Sequence, residues 1–231
     1  EYGSDTAIIG FGSTGSAVSM TNLVSNTGVV ATDTSGVGTA RMNLSACSYG
    51  GDKGFFSSTA TAYTNLVSNT GVVAADVAGV GTQRSHLAAT EYGGDKGIIG
   101  FGSGPLSMTN LVSNTGVVGT DVTGVGTARA APGACGYGED KAIFSNTSSA
   151  NVTNLVSNTG VMATDVAKVG TAKGATAGCE YGQDKGIFAY GNIAGPAVTA
   201  ISNLISNTGV QAADVSGVGQ TRKYLASCSY N

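Results

Sequence analysis

The chain has 231 residues, a net charge of −3, 11% charged residues, 37 glycines and no tryptophan. Hydrophobic residues at 41% supply enough apolar surface for a folded core, so disorder is excluded despite the glycines. The slight acidity leaves no basic footprint for DNA or RNA, and no apolar run approaches the roughly 18 residues that span a membrane.

Internal repeats organise the sequence. A T/S-N-L-V/I-S-N-T-G-V motif holds Asn22, Asn65, Asn110, Asn154 and Asn203, at spacings of 43, 45, 44 and 49. Asp33, Asp76, Asp121, Asp165 and Asp214 follow those asparagines by 11 residues, and Tyr49, Tyr92, Tyr137, Tyr181 and Tyr230 follow the aspartates by 16. Only the stretch from each Tyr to the next Asn varies, so it holds the one length-tolerant loop of each unit.

The first unit opens at Glu1-Tyr2-Gly3, where the other units have just finished a strand of small residues. The second unit shows the full set. Arg41 to Tyr49 is predicted as that small-residue strand, and Tyr49 to Lys53 as a turn. Gly54 to Ser57 belongs to an apolar strand and Tyr63 to Ser68 to a third. Asn69-Thr70-Gly71 is a tight turn whose glycine can take positive φ. Val72 to Val77 is a fourth strand, and Gly79-Val80-Gly81 leads on to Arg84. Nothing has helical periodicity.

Four strands in each of five units of about 46 residues predict an all-β, five-bladed β-propeller. It has four antiparallel strands per blade and forms one domain over 1–231. A solenoid would need polar caps, and none appear. The stretch from Lys223 to Tyr230 matches the small-residue strand the first unit lacks. The C-terminal strand is therefore expected to complete the N-terminal blade and close the ring.

Arg41-Met-Asn-Leu-Ser-Ala-Cys-Ser-Tyr-Gly-Gly-Asp-Lys53 together with Ile98-Ile-Gly-Phe-Gly102 resembles the kelch repeat across all five units, without its late Trp. That resemblance implies that the Arg-led strand is innermost. The repeat is also similar to those of uncharacterised marine phage tail-fibre proteins and of secreted glue-type proteins of glass sponges. These likenesses imply extracellular structural or adhesive work.

Nineteen of the 25 charged residues sit at repeated positions. A fivefold role points to structure, with Asp side chains capping turns and pairing with nearby Arg or Lys. The alternative is a calcium site at each of Asp33, Asp76, Asp121, Asp165 and Asp214, because carboxylates suit a hard cation; otherwise no cofactor or metal is expected. Cys47, Cys135, Cys179 and Cys228 each lie two residues before the repeat Tyr. They read as small buried hydrophobes, with pairing of Cys135 to Cys179 and of Cys228 to Cys47 left open.

No catalytic set is visible, so an enzyme is not expected. His86 is the one histidine, and no G-x-S-x-G elbow accompanies it. Gly10-Phe-Gly12-Ser-Thr-Gly15 matches G-x-G-x-x-G, but no helix follows to receive a phosphate. Specialised function is expected where the units differ. Just after the inner-strand Arg, the residues Asn43, His86, Lys223 and Tyr224 form a candidate ligand-binding cluster near one mouth of the channel, or ordinary loop drift. The variable loops Ser13–Val18, Ser58–Ala62, Ser103–Leu106, Ser145–Asn151 and Asn192–Ala200 are rich in Ser, Thr, Gly and Asn. They carry sequons at Asn146 and Asn151, which suits secretion.

The expected function is an extracellular structural or adhesive scaffold that binds polysaccharide, glycan or mineral surfaces, or another matrix protein, at several sites together. A multivalent lectin is the first alternative, although sugar sites usually stack an aromatic ring. A kelch-like protein-interaction module is the second.

Overall fold

A computed structural model describes residues 1–57, 63–145, 147, 150–193 and 195–229. The loop Ser58–Ala62, Asn146 and Tyr230 lie outside the described residues. The strands are β1 (Ala7–Ser13), β2 (Ala17–Val24), β3 (Ser45–Tyr49), β4 (Lys53–Ser57), β5 (Thr64–Val67), β6 (Ala88–Tyr92), β7 (Lys96–Gly102) and β8 (Leu106–Val112). They continue with β9 (Gly133–Tyr137), β10 (Lys141–Ser145), β11 (Val152–Val156), β12 (Val166–Ala167), β13 (Ala177–Tyr181), β14 (Lys185–Asn192) and β15 (Val198–Ile205). They make five small antiparallel sheets: β1-β2, β3-β4-β5, β6-β7-β8, β9-β10-β11-β12 and β13-β14-β15. The described residues contain no helix, and none is long and apolar enough to cross a membrane.

Each sheet is one repeat. Its first two strands turn through consecutive left-handed residues, such as Gly50 (φ 63°) and Gly51 (φ 76°), which glycine adopts without steric cost. The first strands of sheets two to five lie side by side, β3 by β6, β6 by β9, and β9 by β13. Apolar side chains fill the space between neighbouring sheets. Phe56 meets Phe11 edge-on at 5.1 Å, and Phe144 tilts against Phe101 at 5.3 Å. Phe55, Phe101, Phe144 and Phe188 are fully buried, so truncating any of them to Ala costs about 3–5 kcal/mol.

Three differences from the sequence reading stand out. The inner strand starts at Ser45, not Arg41, because Asn43 takes φ 57° and breaks the pleat. His86, Ala131, Ala175 and Tyr224 repeat this left-handed kink at φ 50–59°.

Among the described residues, the fourth strand pairs as a strand only in the fourth sheet, as β12. Elsewhere the outer segment touches its neighbour through isolated bridges, Val67↔Val73 and Thr64↔Val77 in the second sheet. Between them the Asn65 side chain stands in for the ladder, donating to Ala74 O (3.0 Å) and Asp76 Oδ1 (3.0 Å).

The third difference concerns the end of the chain. The stretch from Arg222 to Ser229 forms no strand and is not paired with β1. It lies against the fifth sheet, with Tyr224 N–H donating to Ala175 O (3.2 Å) and Ser227 Oγ to Gly178 O (2.9 Å). β1 keeps a single neighbour, and Ile9 is 55% exposed where its counterpart Ile99 is 4% exposed.

Candidate functional site

The repeated charges build the same device in the second, third and fourth sheets. Asp76 Oδ2 accepts from Thr39 N (2.9 Å) and Thr39 Oγ1 (2.7 Å). Its Oδ1 accepts from Asn65 Nδ2 (3.0 Å) and Arg41 Nη1 (3.1 Å). The other Arg41 nitrogen, Nη2, donates to Asn65 Oδ1. Asp121 with Arg84, and Asp165 with Arg129, repeat the arrangement. Burial pushes the Asp76 carboxyl up, but the donors from Thr39, Asn65 and Arg41 outweigh it and hold it at about 2.

This carboxylate is surrounded by N–H and O–H donors and a cation. A calcium ion needs the reverse, a shell of oxygen acceptors. Asp33 differs, since among the described residues only Asn22 Nδ2 reaches it (2.8 Å). No group of three or more His, Cys, Asp or Glu among the described residues is placed to hold a metal.

Three of the arginines also cross to the ring of a preceding sheet. A β-bulge at Gly10/Gly12 turns Phe11 (φ 60°) so that its ring faces the Arg41 guanidinium at 4.2 Å. Phe101 receives Arg129 at 3.7 Å, and Tyr190 receives Arg222 at 4.0 Å. The second family of aspartates works locally. Asp95 pairs with Lys96 (2.9 Å) and accepts from Asn114 (2.9 Å), a pattern repeated at Asp52, Asp140 and Asp184.

The fifth sheet departs from this pattern in a way sequence reasoning missed. Lys173 replaces the arginine, and Lys168 stands where other units have glycine. The two lysines divide the arginine's work. Lys168 Nζ donates to Thr171 O (3.0 Å), as Arg41 Nη1 does to Thr39 O (3.0 Å). Lys173 Nζ donates to Ile201 O (2.8 Å) and Phe188 O (3.4 Å). Burial pulls both amines down to about 8. Neither replaces the second arginine nitrogen, so the buried Asn203 Oδ1 has no hydrogen-bond partner among the described residues. Two departures in one repeat were the signal that would have found this pair.

Of the predicted channel-mouth residues, Asn43, His86 and Tyr224 fall on the left-handed kinks, and Lys223 directly precedes one. Ala131 N–H donates to His86 O (2.7 Å), Ala175 N–H to Ala131 O (3.1 Å) and Tyr224 N–H to Ala175 O, so these positions form one row. Asn43 occupies the homologous place and is exposed. His86 Nδ1 is engaged with Ser103 Oγ (2.9 Å) and Ser85 Oγ (3.1 Å). Lys223 Nζ lies 5.2 Å from the exposed Tyr224 ring. The structure thus brings Lys223 and Tyr224 together, and shows no hydrogen bond joining the Asn43 and His86 side chains to them.

All four cysteines are free. A Cβ at Gly97 would stand 3.0 Å from Cys47 Sγ, so this thiol fills the gap to the next sheet. Burial pushes the Cys47 and Cys135 thiols up and keeps them protonated. Beside them, burial first and then the charges of Glu91 and Glu1 push Glu180 up to about 7.

The outer face is the most regular surface. Val29, Val72, Val117, Val161 and Val210 follow the five Asn-Thr-Gly turns, and each is 65–66% exposed. Each turn is pinned by a serine: Ser68 Oγ, for example, meets Thr70 Oγ1 (2.9 Å) and accepts from Val72 N–H (3.1 Å).

No family model and no curated protein matches this sequence. Among solved structures, a streptogramin B lyase matches with TM-score 0.62 at 11% identity, over 88% of this chain and 63% of that one. A fungal alcohol oxidase of the AA5 family, in complex with copper, matches with TM-score 0.66 at 11% identity, over 96% of this chain and 53% of that one. The chain spans less than two thirds of either neighbour. At this identity the likeness speaks for the fold alone: an all-β, propeller-like arrangement of small antiparallel sheets.

Proposed function

We propose that this protein is an extracellular structural or adhesive scaffold that holds polysaccharide, glycan or mineral surfaces, or a matrix protein, through many weak contacts. In this reading the five sheets are the kelch-like blades of one propeller. The stretch from Arg222 to Ser229 is the inner strand that β1 and β2 await. The observation that carries the function is the fivefold outer fringe, where an uncharged Ser-Asn-Thr-Gly-Val turn recurs with the same valine exposed to the same extent each time. One such turn binds weakly. Five on a rigid frame act at high effective concentration once the first engages.

Retention on silica, chitin and cellulose beads tests this. The protein is expected to be depleted from solution, and changing Val72, Val117 and Val161 to Asp should release it. Full recovery of the unaltered protein, or retention that ignores the valine changes, would refute the reading. A second reading is a kelch-like interaction module at the channel mouth, favoured by the row through His86, Ala131, Ala175 and Tyr224. A multivalent lectin would instead give sugar-specific signals on a glycan array.

A further inference from the structure

Four junctions between successive sheets share the same contacts, and a fifth set of the same residues is left unused. At each formed junction a tyrosine packs on a glycine of the next sheet. A Cβ at Gly71 would stand 2.9 Å from the Tyr2 ring, and Gly116, Gly160 and Gly209 meet Tyr49, Tyr92 and Tyr137 in the same way. At each, a glycine N–H donates to an aspartate carbonyl 2.7 Å away: Gly3 to Asp52, Gly50 to Asp95, Gly93 to Asp140 and Gly138 to Asp184. The Arg or Lys that opens each inner strand is buried beside its Asn and Asp.

The fifth set divides into two halves. Tyr181 is 36% exposed where Tyr49, Tyr92 and Tyr137 are 4% exposed. Gly182 N–H has no acceptor among the described residues. Arg222 is exposed, already stacked on Tyr190, and makes no ion pair with a described residue. These groups are an aromatic knob, a donor and a cation. On the first sheet stand their complements. Gly28 has open space where a tyrosine would sit, Asp33 is exposed and lacks its arginine, Asn22 Oδ1 faces no guanidinium, and the inner edge of β1 is unpaired.

We propose that these halves are the two sides of an interface between two copies of this chain. Arg222 to Ser229 of one copy adds as the inner strand to β1 of the next, Arg222 reaches Asn22 and Asp33, and Tyr181 enters the hollow over Gly28. The inference rests on the propeller reading and names the partner of its open edge. Strand addition supplies backbone hydrogen bonds, and the Arg–Asp pair and the tyrosine knob fix the register. The two halves differ, so the contact is heterologous and runs head to tail.

The test is molar mass by light scattering across a concentration series. The unaltered chain is expected to exceed the monomer mass as concentration rises. Asp33→Arg disables one half, and Tyr181→Ala with Arg222→Ala disables the other. All three sites are exposed, and the contacts they lose at dilution are the exposed ones to Asn22 and Tyr190, so each variant should melt within about 4 °C of the parent. Each should be monomeric alone, while an equal mixture should give a dimer containing one of each and nothing larger, because only one intact junction can form.

A parent that stays monomeric at every concentration overturns the proposal. If Asp33→Arg then lowers the melting temperature by well over the few degrees that the Asn22 contact accounts for, the halves close within one chain. If it does not, they are unused. Either result leaves the propeller reading standing; that reading falls only if a solved structure shows β3, β6, β9 and β13 not side by side.

Discussion

The junction network predicts that one residue type, changed to Ala at three equivalent positions, has three different costs. Asn154 is fully buried. It donates to Ala163 O (3.1 Å) and Asp165 Oδ1 (2.9 Å) and accepts from Arg129 Nη2 (2.6 Å). Arg129 is 1% exposed, and its Nε has no partner. Asn154→Ala removes a hydrogen bond to a buried cation and leaves that guanidinium poorly satisfied, for a cost of about 3–5 kcal/mol. Asn203 makes the same two donations, to Ala212 O (3.3 Å) and Asp214 Oδ1 (2.9 Å), but its Oδ1 has no partner to lose. Its loss should cost about 1–2 kcal/mol. Asn22 keeps the two donations in a half-exposed setting without a cation, so Asn22→Ala should cost about 1 kcal/mol or less. Urea unfolding of the three variants measures the series, and the Asn154 change should lower the melting temperature by roughly 10 °C. Equal costs at Asn22 and Asn154 would refute the claim that the arginine junction carries the difference.

Stability should fall as pH rises through neutrality. Glu180 titrates at about 7 in the fold against an ordinary 4.5. The folded state therefore binds its proton more tightly, and the associated stability is full below the unfolded value and lost as pH climbs through 7. Glu180→Gln should be more stable than the parent at pH 8 by about 1–2 kcal/mol, after allowance for partial exposure, and equal to it near pH 4; thermal melts at the two pH values decide. Lys168 and Lys173 replace one arginine together, so changing one alone is harmful. Lys173→Arg should destabilise by crowding a guanidinium against the Lys168 amine, whereas Lys168→Gly with Lys173→Arg should recover stability with a coupling of about 1–2 kcal/mol. Additive effects in the double-mutant cycle would contradict the shared role.

The repeat made much of this fold legible. The invariant 11-residue step from Asn to Asp is the span from the third strand to the outer segment, and the Asn side chain bonds that Asp in all five sheets. The kink after each arginine was not legible. Of its five residues Asn43 and His86 have a local taste for left-handed φ, and Ala131, Ala175 and Tyr224 carry no such signal. The fourth strand was over-read, because Val72 to Val77 has strand composition while Asn65 takes over its hydrogen bonding. The tail from Lys223 to Tyr230 has the composition of an inner strand, but pairing depends on where the other edge lies, which composition does not encode. The repeat register puts His86 and Tyr224 at equivalent positions, and the two share the same left-handed backbone; their row of backbone hydrogen bonds follows from the fold.

The central claim is that four junctions are made within one chain and the fifth is not. Residue-resolved amide hydrogen exchange at low protein concentration tests it most directly. Gly50, Gly93 and Gly138, and the amides of Thr39, Thr82, Thr127 and Thr171 that meet aspartates across the linkers, should exchange slowly. Gly182 should exchange fast at dilution and become protected only as concentration rises. Equal protection of Gly182 and Gly138 at every dilution would contradict the account.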